Sequence, residues 1–394
     1  MYQEVSTKPA FLGPSCPPAY LEYVWYLYLF YWMLGAVWGI VLPDVGGVIW
    51  VLIGVASLLQ VGNHAILVYK PVGWALCTGG FAIGIQMLFH GWSGRVAQHE
   101  ITEFAYWISL LITVQALSFR PGFLQRFALL ATVLGVACLP YIQVREVGGV
   151  MRAWATGTLI STPNALGMWF GFCTVYFIFQ GFQYQKLMLR AASWSVALGC
   201  FYVVLIAVSR APLVAVFVAC LVGFRSALKR SFAPLMAFAI LIYLVYLFGV
   251  FDEWLDYYLL RGTEESGRGR IWPAALDRIS GSPWIGFGLD DVKVLNGYGK
   301  LVNPHNPLLH LMLGVGVIPT ICFLGYVFRA IAGAVRLVRR EQEGEAMILL
   351  PLVVFASLEV MNLDFAFMLP WVVVVFGLAA RAGYQGESQK PRTF

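Results

Sequence analysis

Charged side chains are scarce in this sequence. Asp, Glu, Lys and Arg make up 12% of its 394 residues, whereas 60% are hydrophobic and 15% are aromatic. This is about half the charge content of soluble domains, and a water-facing surface cannot be built from so few ionisable groups. The composition therefore excludes a disordered chain and an ordinary soluble enzyme. The seven cysteines match neither a disulfide framework nor a metal site. We expect a polytopic membrane protein.

Long apolar runs take the place of the missing charge. Windows of about 17 to 25 mostly apolar residues recur along the chain, and each is long enough to cross a bilayer as a helix. We count about twelve such windows. Their approximate bounds are 22–42, 46–61, 72–90, 103–119, 127–143, 166–182, 191–208, 211–224, 232–250, 306–328, 347–361 and 365–380. The predicted fold class is an all-α polytopic integral membrane protein.

The positions of the basic residues predict its orientation. If both termini are cytoplasmic, most of the 26 Lys and Arg residues fall in short cytoplasmic segments, as the positive-inside rule expects. We therefore predict a cytoplasmic tail over 1–21, a single transmembrane domain over 22–380 and a cytoplasmic tail over 381–394. One large loop, about 251–304, then lies on the outer face between the ninth and tenth helices. No cleavable signal peptide is visible at the start of the sequence.

Three predicted helices begin in the same way on the outer face. Each has a capping residue followed closely by proline, at Thr162–Pro163, Ser209–Pro212 and Asn306–Pro307. The amino-terminal end of a helix carries free N–H groups and a partial positive charge. If the three ends converge, they form an anion site at the depth of the lipid headgroups. A diphosphate is its natural ligand, because forked guanidinium groups bind phosphate oxygens in pairs.

Arg210 and His305 stand out among the outer-face residues. Arg210 interrupts an apolar run from Ala191 to Leu221, and the short turn holds it close to the membrane interface. We favour an anion contact there over a bland turn between helices. His305 directly precedes the helix start at Asn306. We expect nearby arginines and the helix end to keep its imidazole neutral, which suits a general base. A purely structural histidine is the alternative.

Four short motifs follow one another in the second half of the chain. They are Ser209–Ala211 at a helix start, Ser266–Trp272 with Ala275 following, Ser282–Gly288, and His305–Asn306 opening the next helix. Together with an upstream element over Thr156–Ala165, their order and positions resemble the core of the O-antigen ligase and O-antigen polymerase superfamily. The resemblance covers about residues 150–320.

The resemblance implies a metal-independent, inverting membrane glycosyltransferase without a cofactor, built as a GT-C-type bundle of about twelve helices. Such an enzyme would sit in the bacterial inner membrane and act at its periplasmic face. Its expected partners are an undecaprenyl-diphosphate-linked glycan as donor and lipid A-core as acceptor, as in lipopolysaccharide biosynthesis. Carried over to this sequence, Arg210 and Arg268 would bind the diphosphate as leaving group, and His305 would activate the acceptor hydroxyl. Further contacts to diphosphate or glycan are expected from Arg270, Arg152 and Asn306.

The chain departs from the family pattern in the predicted tenth helix. The family often has an acidic residue where this chain has Gly314, and a glycine where it has Pro319, whereas Gly316 is kept. The assignment of the histidine and the arginines is unaffected, and the substrate preference is left open.

Two other functions stay open at this point. An O-antigen or exopolysaccharide polymerase would use the same site with a second lipid-linked glycan as acceptor, and no residue separates the two activities. A lipid or anion transporter would show inverted repeats and charges near the bilayer midplane. The polar residues gather on the outer side instead, which favours the enzyme.

Overall fold

The computed structural model describes residues 18–34, 52–56, 59, 113–114, 116–117, 120–147, 149–158, 160–225, 256–259, 268–288, 292–295, 299–339 and 343–359. Several predicted segments lie wholly or mostly outside these residues: the spans 46–61, 72–90, 103–119, 232–250 and 365–380, and the two tails.

The described chain is mostly helical. In chain order the helices are α1 (Ala19–Leu34), α2 (Phe123–Cys138), α3 (Pro163–Gln183), α4 (Leu187–Ile206), α5 (Arg210–Gly223), α6 (Arg268–Gly281), α7 (Pro307–Val315), α8 (Val317–Arg339) and α9 (Glu343–Glu359). The strands are β1 (Ile142–Val147), β2 (Val150–Ala155), β3 (Val294–Leu295) and β4 (Leu301–Val302). They form two antiparallel pairs, β1 with β2 and β3 with β4.

Among the described residues, four helical segments are long and apolar enough to cross a membrane: Phe123–Tyr141, Pro163–Gln183, Leu187–Ile206 and Val317–Arg336. Large apolar side chains such as Leu198, Phe217 and Ile321 are exposed on the outer faces of the helices. Large apolar surfaces of this kind are favourable in contact with lipid and unfavourable in contact with water. The described residues therefore have the structure of a multi-pass α-helical membrane protein. The count of twelve helices and the periplasmic loop stay predictions.

Helix α3 packs against α2, α4, α5 and α9. Two of its glycines, one turn apart, allow this close approach. A Cβ atom on Gly167 would lie 2.9 Å from Cγ of Pro212 on α5, and one on Gly171 would lie 2.9 Å from Cε2 of Phe355 on α9. Small residues at this spacing let helix backbones meet where no hydrophobic effect drives them together.

A buried carboxylate joins α1 to α2. Glu22 is 1% exposed and accepts hydrogen bonds from Arg120 Nε at 2.6 Å, Arg126 Nε at 2.7 Å and Tyr26 Oη at 2.6 Å. A second bond from Arg126, from Nη2 at 2.8 Å, makes that pair bidentate. The two arginines therefore form ion pairs with a buried acid, in addition to any role in setting the topology.

Between α2 and α3 the chain forms a β-hairpin that the hydropathy pattern did not predict. In its register Arg145 lies opposite Arg152, and Val147 lies opposite Val150 next to the turn. The hairpin brings Arg152 to the start of α3.

The starts of α3 and α7 agree with the sequence prediction. Thr162 Oγ1 accepts a hydrogen bond from Ala165 N at 3.2 Å. Asn306 Oδ1 accepts from Leu308 N at 2.9 Å and from Leu309 N at 3.3 Å. Both helices have proline in the first turn. Local capping chemistry therefore fixes where these two helices begin.

The predicted span 306–328 is divided in two. Helix α7 ends at Val315, the next residue, Gly316, has a φ of 85°, and α8 begins directly after it. Glycine adopts such a positive φ without steric cost, and the helix ends at this residue. The segment that can cross a membrane is Val317–Arg336, which lies further along the chain than predicted.

Candidate functional site

The side chain of Asn164 joins the starts of α3 and α5. Ser209 Oγ, on a residue that is 2% exposed, donates a hydrogen bond to Asn164 Oδ1 at 2.8 Å. Arg152 Nη2 lies 3.5 Å from the same oxygen, and Arg152 Nε lies 3.4 Å from the Ala207 carbonyl oxygen. Strand β2, the first turn of α3 and the turn before α5 therefore meet at one amide oxygen.

Ser209 occupies the N-cap position of α5 but does not cap the helix with its side chain. Its hydroxyl points to Asn164 instead. The sequence prediction of a capping serine is wrong in this respect, because an amide oxygen from the neighbouring helix takes the hydroxyl. The first turn of α5 is thus left without the side-chain cap that α3 and α7 have. Arg210, the first residue of α5, is exposed at this end.

Two non-glycine residues of the described chain have positive φ angles. They are Val208, at 45°, and His305, at 49°. A left-handed β-branched residue is a genuine outlier, and such conformations cost on the order of 1–3 kcal/mol. Val208 lies just before the Ser209–Arg210 helix start, and His305 lies just before Asn306. Both strained residues therefore stand at helix starts that carry predicted site residues.

Helix α6 begins at Arg268, the second arginine that is predicted to bind the diphosphate. Arg270 follows in its first turn and is exposed. One turn after Arg268, Trp272 Nε1 donates a hydrogen bond to the Pro304 carbonyl oxygen at 3.1 Å. The beginning of α6 is thereby tied to the residue that precedes His305.

Apolar packing aligns α6 with α7. One buried cluster contains Ile271, Ala275 and Ile279 of α6 and Leu309 and Leu313 of α7. Hydrogen bonds also tie the beginning of α6 to the beginning of α7, and the chain just after α6 to the end of α7. The two helices therefore run in the same direction. Arg268 and His305 lie at the same end of this pair.

The motif Ser282–Gly288 fastens the break between α7 and α8. Its backbone contacts are Phe287 N to Leu313 O at 2.6 Å, Gly288 N to Gly314 O at 2.9 Å, and Val317 N to Pro283 O at 2.9 Å. These bonds supply partners for the last carbonyls of one helix and the first amide of the next. The motif is thus a structural support for the helix that follows His305.

Glycine is required on both sides of this contact. Gly286 has a φ of 67°, and a Cβ atom there would lie 2.6 Å from the carbonyl carbon of Gly314. A Cβ atom on Gly316 would collide with the Trp284 carbonyl oxygen. The backbones of the motif and of the helix break approach too closely for any side chain.

Helix α7 shares a hydrophobic core with α3 and with the turn before α5. Leu311 and Val315 of α7 belong to the same buried cluster as Leu166 of α3 and Ala207 before α5. Arg210 stands on the α3–α5 pair and His305 on the α6–α7 pair. Their convergence on a single ligand stays a prediction.

Arginine side chains and amino-terminal helix ends occur together at the starts of α3, α5, α6 and α7. Guanidinium forks bind phosphate oxygens, and helix starts add positive potential, so the arrangement suits an anionic ligand. Asn306 uses its side-chain oxygen as a cap, which leaves its amide NH₂ as the group for the predicted substrate contact. Within the described ranges, no group of three or more His, Cys, Asp or Glu residues is placed to hold a metal ion.

Sequence reasoning missed the connecting roles of Asn164, Ser209 and Trp272. Asn164 carried a weak signal, as a polar residue in the first turn of an otherwise apolar helix. Trp272 carried only its place at the end of the Ser266–Trp272 motif, because aromatic residues are common along the whole chain.

The fold and site define an α-helical multi-pass membrane protein with a basic site at helix starts. Residues 194–324 match the family model described as O-antigen ligase. Predicted site residues inside this segment are Arg210, Arg268, Arg270, His305 and Asn306. The resemblance inferred from the motifs is confirmed over these residues and supports the O-antigen ligase-like superfamily. No curated protein matches the chain significantly.

Proposed function

We propose that the chain is a metal-independent inverting glycosyltransferase. It moves O-antigen glycan from undecaprenyl diphosphate to lipid A-core at the periplasmic face of the bacterial inner membrane, with both termini cytoplasmic. The family match supports a glycosyltransferase-like membrane enzyme of the O-antigen ligase and polymerase kind. The observation that carries the finer proposal is that Arg210, Arg268 and His305 all stand at helix starts within the matched segment.

The proposed step is a single displacement. The acceptor hydroxyl oxygen attacks the anomeric carbon from the side opposite the diphosphate, and the bond from that carbon to the diphosphate oxygen breaks. The hydroxyl proton passes to His305, and the electron pair of the broken bond stays on the diphosphate. Arg210 and Arg268 neutralise the charge that develops there, which is where electrostatic catalysis contributes most.

The remaining site residues have supporting roles in this proposal. Arg270, exposed in the first turn of α6, and Arg152, on the hairpin, are further contacts to diphosphate or glycan. Asn306 offers its amide NH₂ from the start of α7. No cofactor or metal ion takes part in the proposed step.

Complementation of a ligase-deficient strain tests the proposal. The wild type should restore glycan-capped lipopolysaccharide, whereas Arg210→Ala, Arg268→Ala and His305→Ala should be expressed without restoring it. Arg190→Ala is the matched control. It removes an arginine in the first turn of α4, whose Nη2 donates to the Tyr184 carbonyl oxygen at 3.0 Å, at the opposite end of that helix from the Arg210 turn, so it should complement fully. Normal capping by the His305 variant would contradict the general-base role.

A polymerase is the close alternative, because its chemistry needs the same base and arginines. Purified protein supplied with the lipid-linked donor should consume it when lipid A-core is added. Formation of longer lipid-linked chains from the donor alone would identify a polymerase instead. If neither acceptor is used, both forms of the enzyme hypothesis fail.

A lipid or anion transporter is the alternative from another class. Transport does not require a general base. Substrate movement across vesicles that survives His305→Ala would favour transport over transfer.

A further inference from the structure

Asn164 and Ser209 form a polar connection that the transfer step itself does not use. We propose that these two residues are positioning residues that hold the turn before α5, so that Arg210 is directed at the diphosphate. The inference rests on the proposed function, because it concerns how Arg210 reaches its ligand.

The turn that delivers Arg210 is strained and needs external support. Val208 is fully buried and has a φ of 45°. The residue before it, Ala207, offers its carbonyl to Arg152, and the residue after it, Ser209, donates to Asn164. A strained residue persists only where its surroundings over-determine its conformation. Contacts from β2 and α3 on either side of Val208 supply that constraint.

The same contact decides what the Ser209 hydroxyl does. A serine at the N-cap position ordinarily accepts a hydrogen bond from the second or third amide of its own helix. Here Asn164 Oδ1, at 2.8 Å, takes the hydroxyl, and α5 has no side-chain cap. Loss of the Asn164 oxygen would release Ser209 to cap α5. The turn would then relax, and Arg210 would move with it.

Steric contact fixes the same register of α3 against α5. Gly167 lies three residues after Asn164, and it meets Pro212, which lies three residues after Ser209. Residues three apart share one face of a helix. The hydrogen bond and the glycine–proline contact thus lie one above the other. Because Gly167 keeps the helices close, removing the hydrogen bond should change the turn more than the packing.

The test measures binding of undecaprenyl diphosphate to the purified full-length protein in lipid nanodiscs. Ser209→Ala and Asn164→Leu should each weaken binding by about 10-fold. Ser209→Thr keeps the hydroxyl donor without adding a charge beside Arg152, and it should bind within about 3-fold of the wild type. The double variant should bind no more weakly than Asn164→Leu alone, because Ser209→Ala removes nothing further once the shared acceptor oxygen is gone. Losses that multiply in the double variant would overturn the proposal.

Ser193→Ala is the matched control. Its hydroxyl donates to the Phe177 carbonyl oxygen at 2.8 Å and joins α4 to α3, away from the Arg210 turn. Ser193→Ala and Ser209→Ala each remove one interhelical hydrogen bond of 2.8 Å. Ser193→Ala should nevertheless bind undecaprenyl diphosphate like the wild type. If it weakens binding equally, the effect is general loosening and the positioning role is refuted.

A second readout asks whether Ser209 acts through Arg210. In an Arg210→Ala background, Ser209→Ala should cause no further loss of binding, whereas a further 10-fold loss would contradict the proposal. Ser209→Ala only removes one oxygen atom, so it carries the test even if Asn164→Leu fails to fold.

The two proposals fail in different ways. If Arg210→Ala binds undecaprenyl diphosphate as well as the wild type does, the proposed function loses its diphosphate site and the positioning role falls with it. If binding depends on Arg210 but not on Ser209 or Asn164, the positioning role alone is wrong.

Discussion

Arginines lie at both ends of α2, and the two groups differ in what they bind. At its start, Arg120 and Arg126 donate to the buried carboxylate of Glu22. In the hairpin after its end, Arg152 approaches the neutral carbonyl oxygens of Ala207 and Asn164. A carboxylate cancels the charge of a guanidinium, whereas a neutral acceptor only orients it. The first group therefore belongs to the scaffold, and the second lies against two helix starts that carry predicted site residues.

The sharpest test of this contrast is Arg210→Ala. We expect the rate of glycan transfer to fall by about 1,000-fold, because a donor that stabilises the leaving group is lost. Its thermal unfolding should not change, since the side chain is exposed. Arg210→Lys should recover only part of the rate, because an ammonium group lacks the guanidinium fork. Transfer assays and unfolding curves on the same preparations check both statements. A wild-type rate in the alanine variant would remove Arg210 from the site.

Glu22→Gln should show the opposite profile. It leaves Arg120 and Arg126 without their acid, and breaking a buried ion pair from one side costs about 3 kcal/mol. Folded molecules of the variant should keep their transfer rate. Unfolding in denaturant measures the loss of stability, and Glu146→Gln, at an exposed position of β1, is the control with little expected effect. If Glu22→Gln lowers the transfer rate of the folded protein, the assignment of Glu22, Arg120 and Arg126 to the scaffold alone is wrong.

Gly316→Ala asks how much the site depends on backbone geometry rather than charge. The positive φ and the collision with Trp284 predict a loss of about 2 kcal/mol of stability. Transfer should fall as well, because the helix that follows His305 is displaced. Gly325→Ala on α8 meets nothing within 4 Å and is the matched control, with no expected loss. Equal stability of the two alanine variants would show that the helix break tolerates a side chain.

Trp272→Phe should have the smallest effect. It removes the hydrogen bond to the Pro304 carbonyl and keeps an aromatic ring, which costs about 1 kcal/mol. We expect the transfer rate to fall by about 3- to 10-fold, because His305 follows Pro304 directly. Trp169→Phe removes a bond of the same kind, from Nε1 to the Ala131 carbonyl at 2.8 Å, inside the bundle. That control should lose stability without losing rate, and a rate loss in both variants would argue against a role of Trp272 at His305.

Local signals in the sequence predicted the parts of the fold that depend on neighbouring residues. The starts of α3 and α7 follow from a capping side chain and a proline, which act within one turn. The start of α5 at Arg210 was predicted from Ser209 and Pro212, although the Ser209 side chain does not cap the helix. The long apolar runs predicted a multi-pass helical protein because hydrophobic length alone decides whether a segment can cross a bilayer.

Contacts between distant residues were beyond that reasoning. Asn164 and Ser209 are 45 positions apart, and only the packing of α3 on α5 shows that the serine serves another helix. The break at Gly316 likewise depends on Ser282–Gly288, which reaches it from another part of the chain. Sequence reasoning selected the arginines and His305 as candidate site residues, and it did not find the groups that hold their helix starts in place.

The junction between α7 and α8 also constrains how the protein is made. The backbone groups that complete it, on Pro283, Phe287 and Gly288, are synthesised before the helices they bind. If the segment after α6 is translocated first, its backbone groups lack these hydrogen-bond partners until α7 has been synthesised. A cell that slowed translation or stalled insertion at this point would leave an open backbone edge exposed. The Ser282–Gly288 motif must therefore stay available for pairing during the time between its own synthesis and that of α7.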